Sequence, residues 1–409
     1  MTASRRSVLL IASSLTEENA PLQPWRYLLE TGRQLAAQGY KMYFITDRTT
    51  LSDASDDLYG VPVWRVKSVS NPRWHANAEL FRLVKKLNPA TVLWHMGLTS
   101  ILHQRYALPV RAPIIGIFTS PIYRLQELRQ PGLPKILAGY RLSLIHLLGA
   151  LIPRPILRHC LNHNDNVHHV VVQTATLGRR LRDSGLWRGP LSIIPPGVDD
   201  AWHPVKPDVI SAERDKLGYT ASDKVVVYFG SPAPLRGLST LVRAFKRAVR
   251  TEPKLNLLIL SRQRAGELAA ADAHLRRLLQ DCTLRDHVQI ISGFLPQADL
   301  VRHVAAADIV ALPFEIVPSD APLTVLEARA LHKPIVLTPI ACLPELAGDD
   351  KTIFFAEPSN PVSLSSAIER MVNCLSAFTD ESQNRQDNSF AQQSWEGNRA
   401  AWSKLLQSR

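Results

Sequence analysis

Cysteine is scarce in this 409-residue chain, and its four copies, Cys160, Cys282, Cys342 and Cys374, lie far apart. No CxxC pair is among them, which argues against a disulfide scaffold and a structural zinc site and makes a reducing cytoplasm the expected compartment. No run approaches the ~20 apolar residues of a spanning helix. Arg5 and Arg6 precede a short apolar run at 7–12. It gives way to Thr16-Glu17-Glu18-Asn19 without a small-residue cleavage pattern, so a first buried strand is expected rather than a secretory leader. The turn after that strand, 13–20, holds no glycine. The GxGxxG fingerprint is therefore missing where a nicotinamide dehydrogenase would carry it. GxxxxGK[ST], HExxH and GxSxG are absent as well, which removes the phosphate-loop ATPase, zinc protease and serine hydrolase readings.

The remaining composition is that of an ordinary globular protein, 45% hydrophobic and 7% aromatic, but basic: 48 Lys+Arg against 36 Asp+Glu give +12. The length predicts two or three domains of roughly 150 residues. Short β-branched or aromatic runs recur at 8–12, 42–46, 91–94, 114–118, 169–173 and 192–194, separated by helical patterns. Fully apolar strands alternating with helices imply a parallel sheet covered on both faces. The first intervening helix shows Trp25, Leu28, Leu29, Leu35 and Ala36 on one face and Gly39 as its stop. Pro195-Pro196-Gly197 then breaks the alternation, and Pro204 and Pro207 are expected to keep the next segment from forming an early helix. A second alternation follows at 224–229, 255–260, 287–291, 308–312, 334–337 and 352–355. The division predicted is an α/β first domain over 1–198, a second over 199–380, and a linker and closing helix over 381–409. Tandem doubly wound domains face each other across a cleft at their strand C-termini, where ligands bind in such sheets.

The start of the second domain carries chemistry. After the strand comes Gly230-Ser231-Pro232-Ala233-Pro234-Leu235-Arg236-Gly237, then a helix with Leu241, Phe245 and Val249 on its apolar side. A glycine for close backbone approach, a helix N-terminus with unpaired N–H groups and a guanidinium make a pyrophosphate clamp; a surface loop with a solvated arginine is the alternative. Further on, Ser319 or Asp320 suits an N-cap, Pro322 the first helical turn, and Leu323, Leu326 and Ala330 a buried stripe. Glu327 then stands within that helix, either as acceptor for a ribose diol or as an ordinary exposed glutamate.

The order Gly230…Arg236-Gly237, Gly293-Phe294-Leu295-Pro296, Pro318-Ser319 to Glu327-Ala328, Pro334-Ile335-Val336 and Pro344-Glu345-Leu346 resembles the nucleotide-sugar half of glycosyltransferase family 4. Ser192-Ile193-Ile194-Pro195-Pro196-Gly197-Val198-Asp199 is similar to that family's IPNGVD signature, and Trp395-Glu396 to its closing helix, which crosses back to the first domain. The resemblance implies a GT-B fold, two Rossmann-like domains, and transfer of a sugar from a UDP- or GDP-linked donor to a carbohydrate or lipid-linked acceptor with retention of configuration and without a metal or other cofactor. It implies a donor site of Gly230, Ser231, Arg236, Phe294, Ser319, Asp320, Leu323, Thr324 and Glu327, with His95 and Thr119 near the reacting carbon. Arg236 takes the place of the phosphate-binding lysine and Glu327 that of the second glutamate of the E-x7-E pair. The first glutamate falls on Ser319, the arginine after the glycine on Ser231, and a common histidine on Thr119. These departures motivate a second reading, a catalytically silent scaffold or activator of a partner enzyme. A third is an epimerase built on tandem nucleotide-binding domains.

The segment 121–161 adds Arg124, Arg129, Lys135, Arg141, Arg154 and Arg158 against the acid Glu127, interleaved with leucine and isoleucine. A basic amphipathic stretch suits a membrane interface with anionic headgroups, as a lipid-linked acceptor would require; a core helix with a solvated face or a partner-binding flap are the alternatives. Nucleic acid is not an expected partner, since no reading motif joins the basic residues.

Overall fold

The computed structural model describes residues 7–48, 55–58, 60–69, 78–97, 111–129, 147, 149–162, 167–262, 277, 279–383 and 394–407. The first sheet holds β1 (Ser7–Ile11), β2 (Lys41–Asp47), β3 (Ser55–Leu58), β4 (Val61–Val66), β5 (Thr91–Met96), β6 (Ile114–Phe118), β7 (Val167–Val172) and β8 (Leu191–Ile193). Their order is β3-β4-β2-β1-β5-β6-β7-β8, parallel except for β3 against β4. In β1 the side chains of Leu9 and Ile11 enter one core, with Phe118 and Val172. Val8 and Leu10 enter another, with Tyr27 and Phe44. Two buried faces explain why the run is apolar without alternation, and burial of each such side chain contributes about 1.5–3 kcal/mol.

The second sheet holds β9 (Lys224–Gly230), β10 (Leu255–Ser261), β11 (Val288–Ser292), β12 (Ile309–Leu312), β13 (Ile335–Leu337) and β14 (Ile353–Phe355). All its pairings are parallel and the order is β11-β10-β9-β12-β13-β14. The chain reverses direction of build between β9 and β12, so the crevice beyond their C-terminal ends is the switch point at which doubly wound sheets take ligands. In the first sheet the corresponding reversal lies between β1 and β5.

The closing helix Trp395–Gln407 packs Trp395, Trp402, Leu405 and Leu406 into the first domain's core beside Tyr27 and Leu28. Val198 bridges to Ser394 where the chain crosses, and a Cβ at Gly197 would lie 2.3 Å from the Trp395 nitrogen, so that crossing needs a glycine. Some expectations are corrected. Pro207 does not delay a helix but opens one, Pro207–Leu217, because its missing N–H is an orphan at that position anyway. The helix Pro361–Gln383 runs past 380 into the stretch read as linker. β3 and β4 were not expected: Pro62 interrupts the run 61–66, and its neighbour on that side is the sheet-edge strand β3. Within the basic segment 121–161, residues 130–146 and 148 lie outside the described residues.

Candidate functional site

A cavity of about 210 Å³ lies at the switch point of the second sheet, lined among others by Arg26, Asp199, Gly230, Arg262, Phe294 and Glu327. Gly230 ends β9 with φ +128°, and a Cβ there would come within 2.8 Å of the Arg236 guanidinium. Glycine at this point lets Arg236 lie across the backbone. The arginine closes a short turn, Pro234–Arg236, and its guanidinium rests 5.6 Å from the Phe314 ring centroid. Burial lowers its proton affinity, opposed by the charges of Tyr228 and Glu327. The helix that follows, Leu238–Thr251, starts at Gly237 with φ +78°, where a Cβ would lie 1.8 Å from the Pro313 carbonyl oxygen. That helix contributes no described residue to the cavity lining. Arg236 is not among the lining residues either; its guanidinium lies against Gly230, which is. Ser231 is engaged locally: its carbonyl accepts from the Tyr228 hydroxyl at 2.6 Å and its Oγ from the Ala233 N–H at 3.4 Å.

The second helix runs Leu323–Ala330, with Pro322 as the flanking residue and no side-chain cap. Pro322 is therefore outside the first turn, and neither Ser319 nor Asp320 caps the helix; both are buried ahead of it. Leu323 and Glu327, one turn apart, line the cavity. Thr324 sits beside Gly230, its methyl 3.6 Å from where a Cβ would be. Burial lifts the Glu327 carboxyl to about 7 and Asp199 adds to the rise, while Arg262, Arg236 and Arg26 pull it down. Phe294 forms the rim, 70% exposed, with the Arg262 guanidinium 5.9 Å from its ring centroid.

Asp320 turns to the other domain. Its N–H donates to the Thr119 carbonyl at 2.6 Å, and its Oδ1 accepts from the Thr174 hydroxyl at 2.8 Å. Burial raises its carboxyl to about 7, with the Glu345 charge adding to the rise. Thr119 follows β6 and is fully buried; its Oγ1 stands 2.8 Å from His95 Nε2. His95 lies within β5 rather than after it, and burial lowers its imidazole to about 4, so the ring is neutral at neutral pH. Sequence-expected residues of both domains thus meet: His95, Thr119 and Asp320 form one hydrogen-bonded chain between the two domains. Two further ties hold the domains. Glu345 accepts from the N–H groups of Ala175 and Thr176, both at 2.6 Å, and so caps the first domain's helix Ala175–Asp183. The Tyr123 hydroxyl donates to the Val317 carbonyl at 3.0 Å and accepts from its N–H at 2.7 Å.

Sequence reading missed Arg26, Arg262 and the electrostatic role of Asp199. Asp199 follows the break at 195–197 and accepts from Arg26, from Trp395 Nε1 at 2.9 Å and from Gln297 at 2.8 Å, joining the first domain, the closing helix and the second domain. Arg26 and Arg262 carry no motif; the only signal was position, directly after an expected helix start and an expected strand end. Among the described residues no helix is long and apolar enough to cross a membrane, and no group of three His, Cys, Asp or Glu side chains could hold a metal ion.

Residues 25–202 match the family profile described as Glycosyltransferase Family 4, and residues 223–374 the one described as Glycosyl transferases group 1. A D-inositol 3-phosphate glycosyltransferase of Kineococcus radiotolerans is 31% identical over 162 residues, 39% of this chain and 36% of that protein. A GDP-mannose-dependent monoacylated alpha-(1-6)-phosphatidylinositol monomannoside mannosyltransferase of Corynebacterium glutamicum is 32% identical over 121 residues, 29% of each chain. The chain therefore spans about a third of the length of these curated relatives. Among solved structures, the sucrose-phosphate synthase of Thermosynechococcus elongatus superposes with a TM-score of 0.72 at 17% identity over 99% of both chains. The Anabaena Alr3699/HepE protein in complex with UDP-glucose does so with 0.70 at 16% identity, over 98% of this chain and 100% of that one. The architecture is GT-B.

Proposed function

The chain belongs to glycosyltransferase family 4, and from that premise we propose that it moves a sugar from a nucleoside diphosphate donor to a hydroxyl acceptor, with retention at the anomeric carbon, in the assembly of a bacterial polysaccharide or glycolipid. The observation that carries this reading is the cavity at the β9/β12 switch point, where Glu327 and arginines from both domains converge on one recess. Glu327 accepts the ribose hydroxyls. Arg236 faces the diphosphate through Gly230, and the positive end of the helix Leu323–Ala330 adds to the same field. As the glycosidic bond breaks, negative charge grows on the leaving phosphate oxygen, and these fixed groups stabilise it without reorganising. The acceptor hydroxyl enters on the same face and passes its proton to that departing oxygen. Neutral His95, held by Thr119, orients the sugar as a hydrogen-bond partner. The closed crevice keeps water from the donor and so suppresses hydrolysis. No step calls for a metal ion.

The relatives' names support a polyol or lipid-linked acceptor. So does the described part of the basic segment, where Leu125, Leu151 and Ile156 are exposed at 36%, 56% and 48% next to Arg124 and Arg154. This surface fits peripheral contact with an anionic membrane. The test is a donor panel of uridine- and guanosine-linked sugars, with and without a membrane lipid extract, followed by diphosphate release and sugar identity. Release that requires the extract is the expected result. A chain that binds a partner enzyme and releases no diphosphate from any donor is instead the silent scaffold, and one that converts the sugar without an acceptor is the epimerase. In the same assay Arg236→Ala lowers donor affinity about tenfold or more.

A further inference from the structure

We propose that a cavity at the opposite end of the second sheet is a second ligand site, that it takes a small amphiphile with an anionic head on an apolar body, and that this ligand steadies the helix bearing Glu327. The cavity measures about 580 Å³, against about 210 Å³ for the recess at the switch point. It opens where the strands begin: Lys224 starts β9, while Asp308, Pro334 and Thr352 stand just ahead of β12, β13 and β14. These strands run parallel toward the switch point, so the two cavities lie at opposite ends of one sheet. The volume falls in the range of small-molecule sites, roughly 300–1,000 Å³. Val205, Ile210, Leu331 and Phe378 supply apolar walls, which suit an apolar body.

Charge sets the head of the ligand. Lys333 lines the cavity, and its ammonium donates to the carbonyls of Ala305 and Ala307, both at 2.6 Å, closing the C-terminus of the helix Gln297–Ala306. An ammonium has three N–H donors, and these two neutral carbonyls leave one over. Asp308, the acid of the lining, is already answered: its Oδ2 accepts from Arg214 at 3.2 Å and from the Val225 N–H at 2.7 Å. Burial accordingly lowers the Lys333 ammonium to about 8, against the pull of Asp308 and with Arg214 adding to the fall. Lys224 adds a second cation to the lining, so an incoming anion completes a pairing that the fold leaves open. A neutral guest would bury the ammonium further without a counter-charge, and a bare inorganic ion would leave the apolar walls unfilled.

One element joins this cavity to the other. The helix Leu323–Ala330 presents Leu323 and Glu327 at the switch point. Just beyond its far end, the Leu331 N–H donates to the Glu327 carbonyl at 3.2 Å and the Lys333 N–H to the Ala328 carbonyl at 3.1 Å. A ligand that pins Leu331 and Lys333 therefore holds the last turn of the helix that carries Glu327. Neither claim depends on what fills the recess at the switch point.

Calorimetric titration of the full chain with octanoate and with octyl phosphate tests the site, and the tighter of the two names the head. Acetate, octan-1-ol and octylamine are the controls for body and charge. The better amphiphile binds one per chain and about tenfold or more tightly than any control. Lys333→Met lowers its affinity about tenfold or more. Ile210→Glu places a carboxylate in the same cavity while leaving Lys333 on its two carbonyls, and it lowers the affinity to a similar degree at the wild-type melting temperature; this variant decides the matter if Lys333→Met does not fold. Amide exchange read by mass spectrometry slows about threefold or more across residues 323–333 when the amphiphile is saturating. The proposal is overturned if neither amphiphile binds, if a control binds as tightly, if binding survives Ile210→Glu, or if exchange across 323–333 is unchanged.

Discussion

At the scale of single residues, the site is set by how much each charge is buried. Glu327 has the property that a ribose acceptor needs, a carboxylate placed among arginines, but burial has pushed it to about 7. It is therefore partly protonated near neutrality, and a protonated carboxyl accepts only one hydroxyl well. Nucleoside affinity is expected to fall as pH drops below about 7. Glu327→Gln, measured by calorimetry, flattens that dependence and lowers nucleoside affinity about tenfold. Stability moves in the opposite sense. The folded protein holds protons on Asp320 up to about 7, whereas the unfolded chain releases them near 3.8. It therefore binds more protons than the unfolded chain in that window, and its stability declines as pH rises through it and levels off above. Asp320→Asn keeps an acceptor for Thr174 and removes this contribution, so its melting temperature gains on the wild type between pH 5 and 8, and no gain there contradicts the assignment. Glu327 and Arg236 were legible because their types and spacing follow a motif. The turn of Asp320 toward Thr174 was not, since a buried aspartate and a helix cap read the same in one dimension.

At the scale of elements, strand and helix positions followed from local chemistry. The twelve apolar runs read from sequence all became strands, with ends shifted by a residue or two, because a parallel sheet covered on both faces imposes apolar side chains at every position. β4 escaped because Pro62 breaks its run and one side of the strand is exposed at its start. The helix after Gly237 was expected to aim its N-terminus at the ligand. The residue that starts it, Gly237, packs so closely on Pro313 that only glycine fits. Gly237→Ala is expected to cost about 1–3 kcal/mol from its backbone conformation alone, with the clash adding to it. Thermal melting checks this, and a loss below about 0.5 kcal/mol would show that the turn relaxes freely.

At the scale of the whole molecule, function depends on two sheets being held face to face. The overall plan was legible, since two alternations separated by a proline break imply tandem domains. The contacts that fix their relation were not, because each pairs residues more than a hundred positions apart. Asp320 with Thr174, Glu345 with the N–H groups at 175 and 176, and Tyr123 with Val317 hold the crevice closed. Asp199 ties the same halves at the hinge. Glu345→Ala leaves the N-terminus of the helix Ala175–Asp183 without that acceptor, and the chain is expected to open, seen as a larger radius of gyration in X-ray scattering and as increased donor hydrolysis without acceptor. An unchanged radius would mean that the remaining ties suffice. The crevice itself is most directly tested by a crystal structure of the full chain soaked with a uridine- or guanosine-linked sugar donor. The expected result is density at the β9/β12 switch point, with the ribose against Glu327 and the diphosphate beside Arg236 and Gly230. An empty recess at saturating donor, or donor bound elsewhere on the protein, would contradict the central claim.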